Sequence, residues 1–152
     1  MLAVFDGHND ALTRADHAGI ATGRPNGHLD LPRMREGGVR GATFAVFASS
    51  ADENWDPIPR EDNVIEFELA QPVPRADAAA CATAAAGRLA ALERAGEVRI
   101  ARAIAALDVA ETGAGPPTAV LHLEGAEAID PQLEALEHWY AAGLRSLGPV
   151  WS

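Results

Sequence analysis

Residues 118–148 read TAVLHLEGAEAIDPQLEALEHWYAAGLRSLG. The run is apolar and β-rich from Thr118 to Leu123 and turns polar at Glu124-Gly125, as a buried strand does where it leaves a sheet. It then places Leu133, Leu136, Trp139 and Tyr140 on one helical face, meets Gly143 as a stop, and resumes an apolar strand pattern at Leu144. A strand, a helix and a second strand within about 30 residues make the unit that joins parallel neighbours by a crossover. This stretch therefore predicts an α/β fold.

The same alternation extends toward the amino terminus. Leu2 to Phe5 is a short apolar run closed by Asp6-Gly7, which predicts a first strand. HLDLPRMREGG (28–38) offers Asp30 as an N-cap, Pro32 in the first turn and Gly37-Gly38 as a stop, and so predicts a short helix. VRGATFAVFAS (39–49) is dense in Val, Phe and Thr and predicts a second strand covered on both faces. ADAAACATAAAGRLAALERAG (76–96) is a long helix with Asp77 as its cap and Gly96 as its punctuation, and Cys81 reads as a small buried residue within it. VRIARAIAALDVAETGAG (98–115) has no clear beginning but ends in helix.

Between the second strand and the long helix, from Ser49 to about Arg75, the composition shifts to Trp55, prolines and carboxylates. NVIEFELA (63–70) alternates there like a small hairpin arm. Leaving from the carboxyl end of a strand, this excursion is expected to form a lid with Trp55 as a substrate contact, or a patch that shields the rim. The expected whole is one domain over residues 1–152, with about four parallel strands and helices outside, arranged as a doubly wound sheet or as part of a barrel. No G-x-G-x-x-G or G-x-x-x-x-G-K-[ST] follows a strand, which removes the main reason to prefer a nucleotide-binding sheet.

Composition narrows the partners. With 12 basic and 22 acidic side chains the formal charge is −10, which repels phosphate backbones, so no nucleic-acid partner is expected. Nowhere do eighteen apolar residues run together and no secretion signal is visible, so no membrane span is expected. The single cysteine allows no intramolecular disulfide and fits a reducing compartment, hence a cytoplasmic expectation.

The chemistry collects at strand ends. Residues two apart in a strand point to one side, so His8 and Asp10 can converge where the first strand leaves the sheet, and both are ordinary zinc ligands. The alternative is a turn in which Asp10 caps a helix beginning at Ala11. His28 and Asp30 have the same spacing but precede a helix and follow no apolar strand, so there capping is the expected role. In the 118–124 strand Val120, His122 and Glu124 share a face, and Glu124 can meet the first pair if both strands face a common interior. His122 lies deeper and reads as a hydrogen-bonded core histidine, whereas His17 and His138 read as surface residues.

FDGHNDAL, HLDLPRMREGGVRGATFAVF, LHLEGAEAI and WYAAGLRSLGPVWS, in that order and across the whole chain, resemble the membrane (renal) dipeptidase family of zinc metallopeptidases. The resemblance implies the amino-terminal half of a TIM-like (β/α)8 barrel with a two-zinc site at the carboxyl ends of its strands. It implies that His8 and Asp10 bind one zinc, that Glu124 bridges both, and that water activated there attacks the scissile carbonyl of a dipeptide, often one with a carboxyl-side D-residue. Aligned through LRSLGPVWS, Trp151 stands where many relatives carry a substrate-contacting histidine.

About 250 residues is typical of the closed barrel, and four strands are expected by Ser152, so the downstream ligands of the family site have no counterpart here. The open edges are expected to be covered by a second chain with the other half, by self-association, or by more of the same polypeptide. Two other readings stand beside the hydrolase. One is a non-catalytic half-barrel module with at most one ion; the other is a small α/β domain in which His8, Asp10 and Glu124 are caps and core groups.

Overall fold

The computed structural model describes residues 2–50, 54, 56–112 and 115–150; Trp55 and Trp151, both expected to contact substrate, lie outside them. Five strands form one parallel sheet: β1 (Val4–Asn9), β2 (Val39–Val46), β3 (Arg99–Ile100), β4 (Thr118–Glu124) and β5 (Leu144–Gly148). β1 pairs with β2 and β2 with β4, while β3 and β5 both pair with the far side of β4. β3 lies against its amino end at Thr118 and β5 against its carboxyl half from Leu121 to Glu124. Among the described residues the sheet does not close. It is the expected parallel α/β arrangement with one addition, the two-residue β3 that the ambiguous 98–115 stretch conceals.

Four helices join these strands: α1 (Leu31–Glu36), α2 (Arg75–Arg94), α3 (Ala105–Thr112) and α4 (Glu134–Ala142). In α2, Ala78, Ala82, Ala85 and Leu89 recur every three or four residues and form its buried stripe. The stripe packs with Ala42, Phe44 and Val46 of β2 and Ala119, Leu121 and Leu123 of β4 into one core. Alternation turns Val120, His122 and Glu124 to the opposite face of the sheet. Gly41 gives that face one close approach, because a Cβ there would stand 2.7 Å from the Phe5 ring.

Several local expectations are corrected. Cys81 is exposed, because its neighbour Ala82 occupies the buried stripe. Asp77 lies within the first turn of α2 instead of capping it; Pro74 is the N-cap, and its carbonyl accepts the amides of Asp77 and Ala78 at 2.9 and 3.0 Å. The four-residue face expected in α4 divides: Trp139 is buried and Leu136 packs on the core, but Leu133 and Tyr140 are 55% and 58% exposed. Leu133 precedes the helix in a left-handed conformation (φ 65°), and the amides of Glu134 and Ala135 go to the carboxylate of Asp130. Tyr140 instead carries the Arg145 guanidinium 4.0 Å above its ring.

Among its described residues the arm after β2 shows one antiparallel bridge, Ile58 with Glu66, where a hairpin was expected. Its two ends are tied by the Ser50 hydroxyl, which donates to the Gln71 carbonyl at 2.8 Å. Val64, Ile65 and Leu69 are exposed along it, so their apolar faces do not drive a ladder. Among the described residues no helix is long and apolar enough to cross a membrane.

Asp30 caps α1 as expected, accepting the Arg33 amide at 2.9 Å and the Arg24 amide at 3.1 Å. It is almost fully buried and also pairs with the Arg33 guanidinium. Burial opposes its ionisation, but the two amides and the charges of Arg33 and Arg24 outweigh that and hold the carboxyl below its ordinary range. A depressed folded-state pKa contributes stability that is complete above the unfolded carboxylate pKa, about 3.9, and is lost as pH falls through the folded value. Asp30→Asn is expected to cost about 2 kcal/mol at neutral pH and to flatten the acid limb of stability below pH ~4. Urea unfolding of both proteins between neutral and acid pH checks this; parallel curves would refute it.

Candidate metal centre

β1 reaches the site through an irregularity. Asp6 is paired with Ala42 and Asn9 with Phe44, so the register slips between Asp6 and Asn9. Such a slip re-aims the side chains that follow it, which strict alternation from Phe5 would not foresee. Asn9 then fastens the strand end. Its amide nitrogen donates to Asp6 Oδ2 at 2.8 Å and to the Thr43 carbonyl at 3.1 Å, and its oxygen accepts the Ala11 amide at 3.2 Å.

On this fastened end His8 Nε2 lies 3.2 Å from Asp10 Oδ1 and 3.4 Å from Glu124 Oε2. One donor atom from each of the three residues falls within 4.8 Å of the other two. Two ligands of a tetrahedral zinc, each 2.0–2.1 Å from it, stand roughly 3.3 Å apart, so both short separations fit a shared ion. One imidazole nitrogen with two carboxylates is also a donor set that zinc accepts. Among the described residues this is the one such group of three His, Cys, Asp or Glu side chains. His8 and Asp10 are about half exposed and Glu124 about a quarter, which leaves room for further ligands.

The structure thus brings together the three residues singled out in the sequence. Asp10 gives the Thr13 amide its backbone carbonyl at 3.1 Å, which leaves the carboxylate facing His8. His28 and Asp30 stay apart from the group, the former exposed and the latter a buried cap. His122 is half-buried on the Glu124 face and hydrogen-bonds Ser146, as a structural histidine would. His138 is exposed and His17 is half-buried in a short 3-10 turn.

Sequence reasoning missed Asn9 and Ser146. The signal for Asn9 was present in FDGHNDAL: an amide between two ligand types, at a chain exit where backbone groups need partners. Nothing in LRSLG singles out Ser146 without the β4–β5 register. Asp10 also borders a groove of about 770 Å³ lined by Thr13, Arg14, Phe47, Ser49, Cys81 and Arg88 among others. Arg88 of α2 closes one wall by donating to the Leu12 carbonyl at 2.6 Å.

Gly125 terminates β4 with φ +93°, and its amide donates to the Gly148 carbonyl of β5 at 2.9 Å. A Cβ there would stand 2.2 Å from a carboxylate oxygen of Glu127. Gly125→Ala is expected to cost about 1–2 kcal/mol from backbone strain alone and to loosen Glu124. A urea midpoint equal to that of the parent would count against this.

The membrane dipeptidase model, peptidase family M19, matches residues 1–152. An uncharacterized protein in the PQQ-III 3′ region of Acinetobacter calcoaceticus is 33% identical over 166 residues, covering 99% of this chain and 49% of that protein. The crystal structure of the dipeptidase AC, a metallopeptidase of family M19, superposes with TM-score 0.82 at 38% identity over 99% of this chain and 43% of its own. A metallopeptidase from Rhodobacter sphaeroides, liganded with a phosphinate mimic of the dipeptide L-Ala-D-Ala, gives TM-score 0.82 at 37% identity over 99% of this chain and 46% of its own. The probable dipeptidase PvdM from Pseudomonas aeruginosa shares the fold at 20% identity and TM-score 0.69, over 97% of this chain and 34% of that one. The chain spans less than half the length of each of these relatives, and its open sheet matches the amino-terminal part of dipeptidase barrels.

Proposed function

Because the chain belongs to the membrane dipeptidase family, peptidase family M19, we propose that it forms the amino-terminal part of a zinc-dependent dipeptidase site. The observation that carries the reading is the convergence of His8, Asp10 and Glu124 from two strand ends. His8 and Asp10 would hold one zinc, and Glu124 would be the ligand it shares with a second. Bound zinc supplies Lewis acidity and a water nucleophile at neutral pH. The chain's own part is positional: Asn9 fixes the His8–Asp10 end of β1, Gly125 fixes Glu124, and the half-exposed face admits a small substrate.

Among the described residues three side chains form the ligand group, and the remaining ligands of a two-ion set are proposed to come from elsewhere in the assembly. More of the same polypeptide, a second chain or a second copy can bring them by pairing with the open edges of β1 and β5. The substrate is a dipeptide. The mimic bound to the Rhodobacter sphaeroides metallopeptidase supports this class, including a carboxyl-side D-residue. The arm that leaves from the carboxyl end of β2 is proposed to act as a lid over the dipeptide; deleting its tip is expected to raise KM severalfold, and an unchanged KM would refute the lid.

The test is dipeptide hydrolysis by the full polypeptide before and after chelation, with zinc stoichiometry measured in parallel. The expected result is activity that falls with metal removal and returns with zinc. Chelator-resistant hydrolysis, or no zinc at His8 and Asp10, would overturn the proposal.

A further inference from the structure

We infer that His122, held by Ser146, is a positioning residue that sets the orientation of the His8 imidazole. The two rings lie edge to face, with centroids 5.8 Å apart and planes at 69°, an arrangement that aromatic pairs favour over a face-to-face sandwich. His8 needs such a wall. Among the described residues its strand is at the edge of the sheet, paired on one side only, and its side chain is 45% exposed.

His122 is itself fixed from the next strand. It is paired in register with Ser146 of β5, and its Nδ1 lies 2.8 Å from the Ser146 hydroxyl oxygen. A hydroxyl both donates and accepts, so this bond holds the ring in either tautomer. The chain of contacts runs from β5 through β4 to β1 and ends on a ring whose Nε2 faces Asp10 and Glu124. No ligand role falls to His122 in this arrangement; it acts through the His8 ring.

This inference rests on the metal-centre reading, and the experiment separates the two. Zinc affinity by competition titration, and the visible absorption of the cobalt(II)-substituted full polypeptide, are measured for His8→Ala, His122→Ala, His122→Phe and Ser146→Ala. His122→Ala is expected to weaken zinc binding by about 10-fold, the lower end of the range for groups that orient a ligand, and to shift the cobalt band. His122→Phe keeps the edge-on ring and is expected to restore most of the affinity, while Ser146→Ala falls between. A merely structural role would lower stability and leave the cobalt band of the folded protein in place. If His8→Ala weakens zinc but His122→Ala and Ser146→Ala match the parent, the positioning role is wrong and the metal centre stands. Unchanged binding in His8→Ala would overturn both. Should His122→Ala fail to fold, Ser146→Ala against His122→Phe decides in the same way.

Discussion

Glu124→Gln is expected to abolish dipeptide hydrolysis in the full protein while leaving the fold intact. The substitution is nearly isosteric, and the neighbouring Gly125 amide keeps its bond to the Gly148 carbonyl. What changes is the donor set. A carboxylate presents two anionic oxygens, one for each ion of a pair roughly 3.5–4 Å apart, whereas a primary amide presents one neutral oxygen and a nitrogen that repels cations. Stoichiometry should fall from two zinc ions to at most one. kcat should fall on the order of a thousandfold, about 4 kcal/mol of barrier at 1.36 kcal/mol per decade. Two tightly held ions and parental kcat in this variant would show that Glu124 is not the bridge.

The second large effect is on stability. Phe44 is fully buried, sits centrally in β2, and pairs in register with Asn9 on one side and Leu121 on the other. Phe44→Ala removes the largest fully buried side chain of the core and leaves a cavity that the surrounding strands and α2 cannot fill without moving, so a loss of about 3–5 kcal/mol is expected. The cavity also undercuts the strand end that Asn9 pins to the Thr43 carbonyl, so zinc affinity should weaken with stability. Urea unfolding gives the number, with Phe44→Leu as a comparison that keeps most of the volume. A loss below about 1 kcal/mol for Phe44→Ala would contradict the packing described.

Strand ends and helix stops were legible because each has a local chemical signature. Asp30, Pro32 and the Gly37-Gly38 pair mark α1 within eleven residues, and the structure keeps all of them. His8, Asp10 and Glu124 were legible as candidates because ligand types followed apolar runs at the point where each strand exits. The route by which they meet was not. It depends on the register slip between Asp6 and Asn9, a property of how β1 lies on β2 that no single strand encodes. Asp130 went unseen as the group that serves α4, because it bonds amides four and five residues ahead across a left-handed Leu133. β3 was hidden because two residues carry no periodicity. Tyr140 shows the opposite error: helical spacing grouped it on one face with Trp139, but it stays outside with Arg145 stacked on its ring.

Anomalous diffraction at the zinc edge from crystals of the full polypeptide tests whether His8, Asp10 and Glu124 share a metal pair. One peak is expected in contact with His8 Nε2, Asp10 and Glu124, and a second roughly 3.5–4 Å away that touches the other Glu124 oxygen. Peaks elsewhere, or none at zinc concentrations that support hydrolysis, would contradict it.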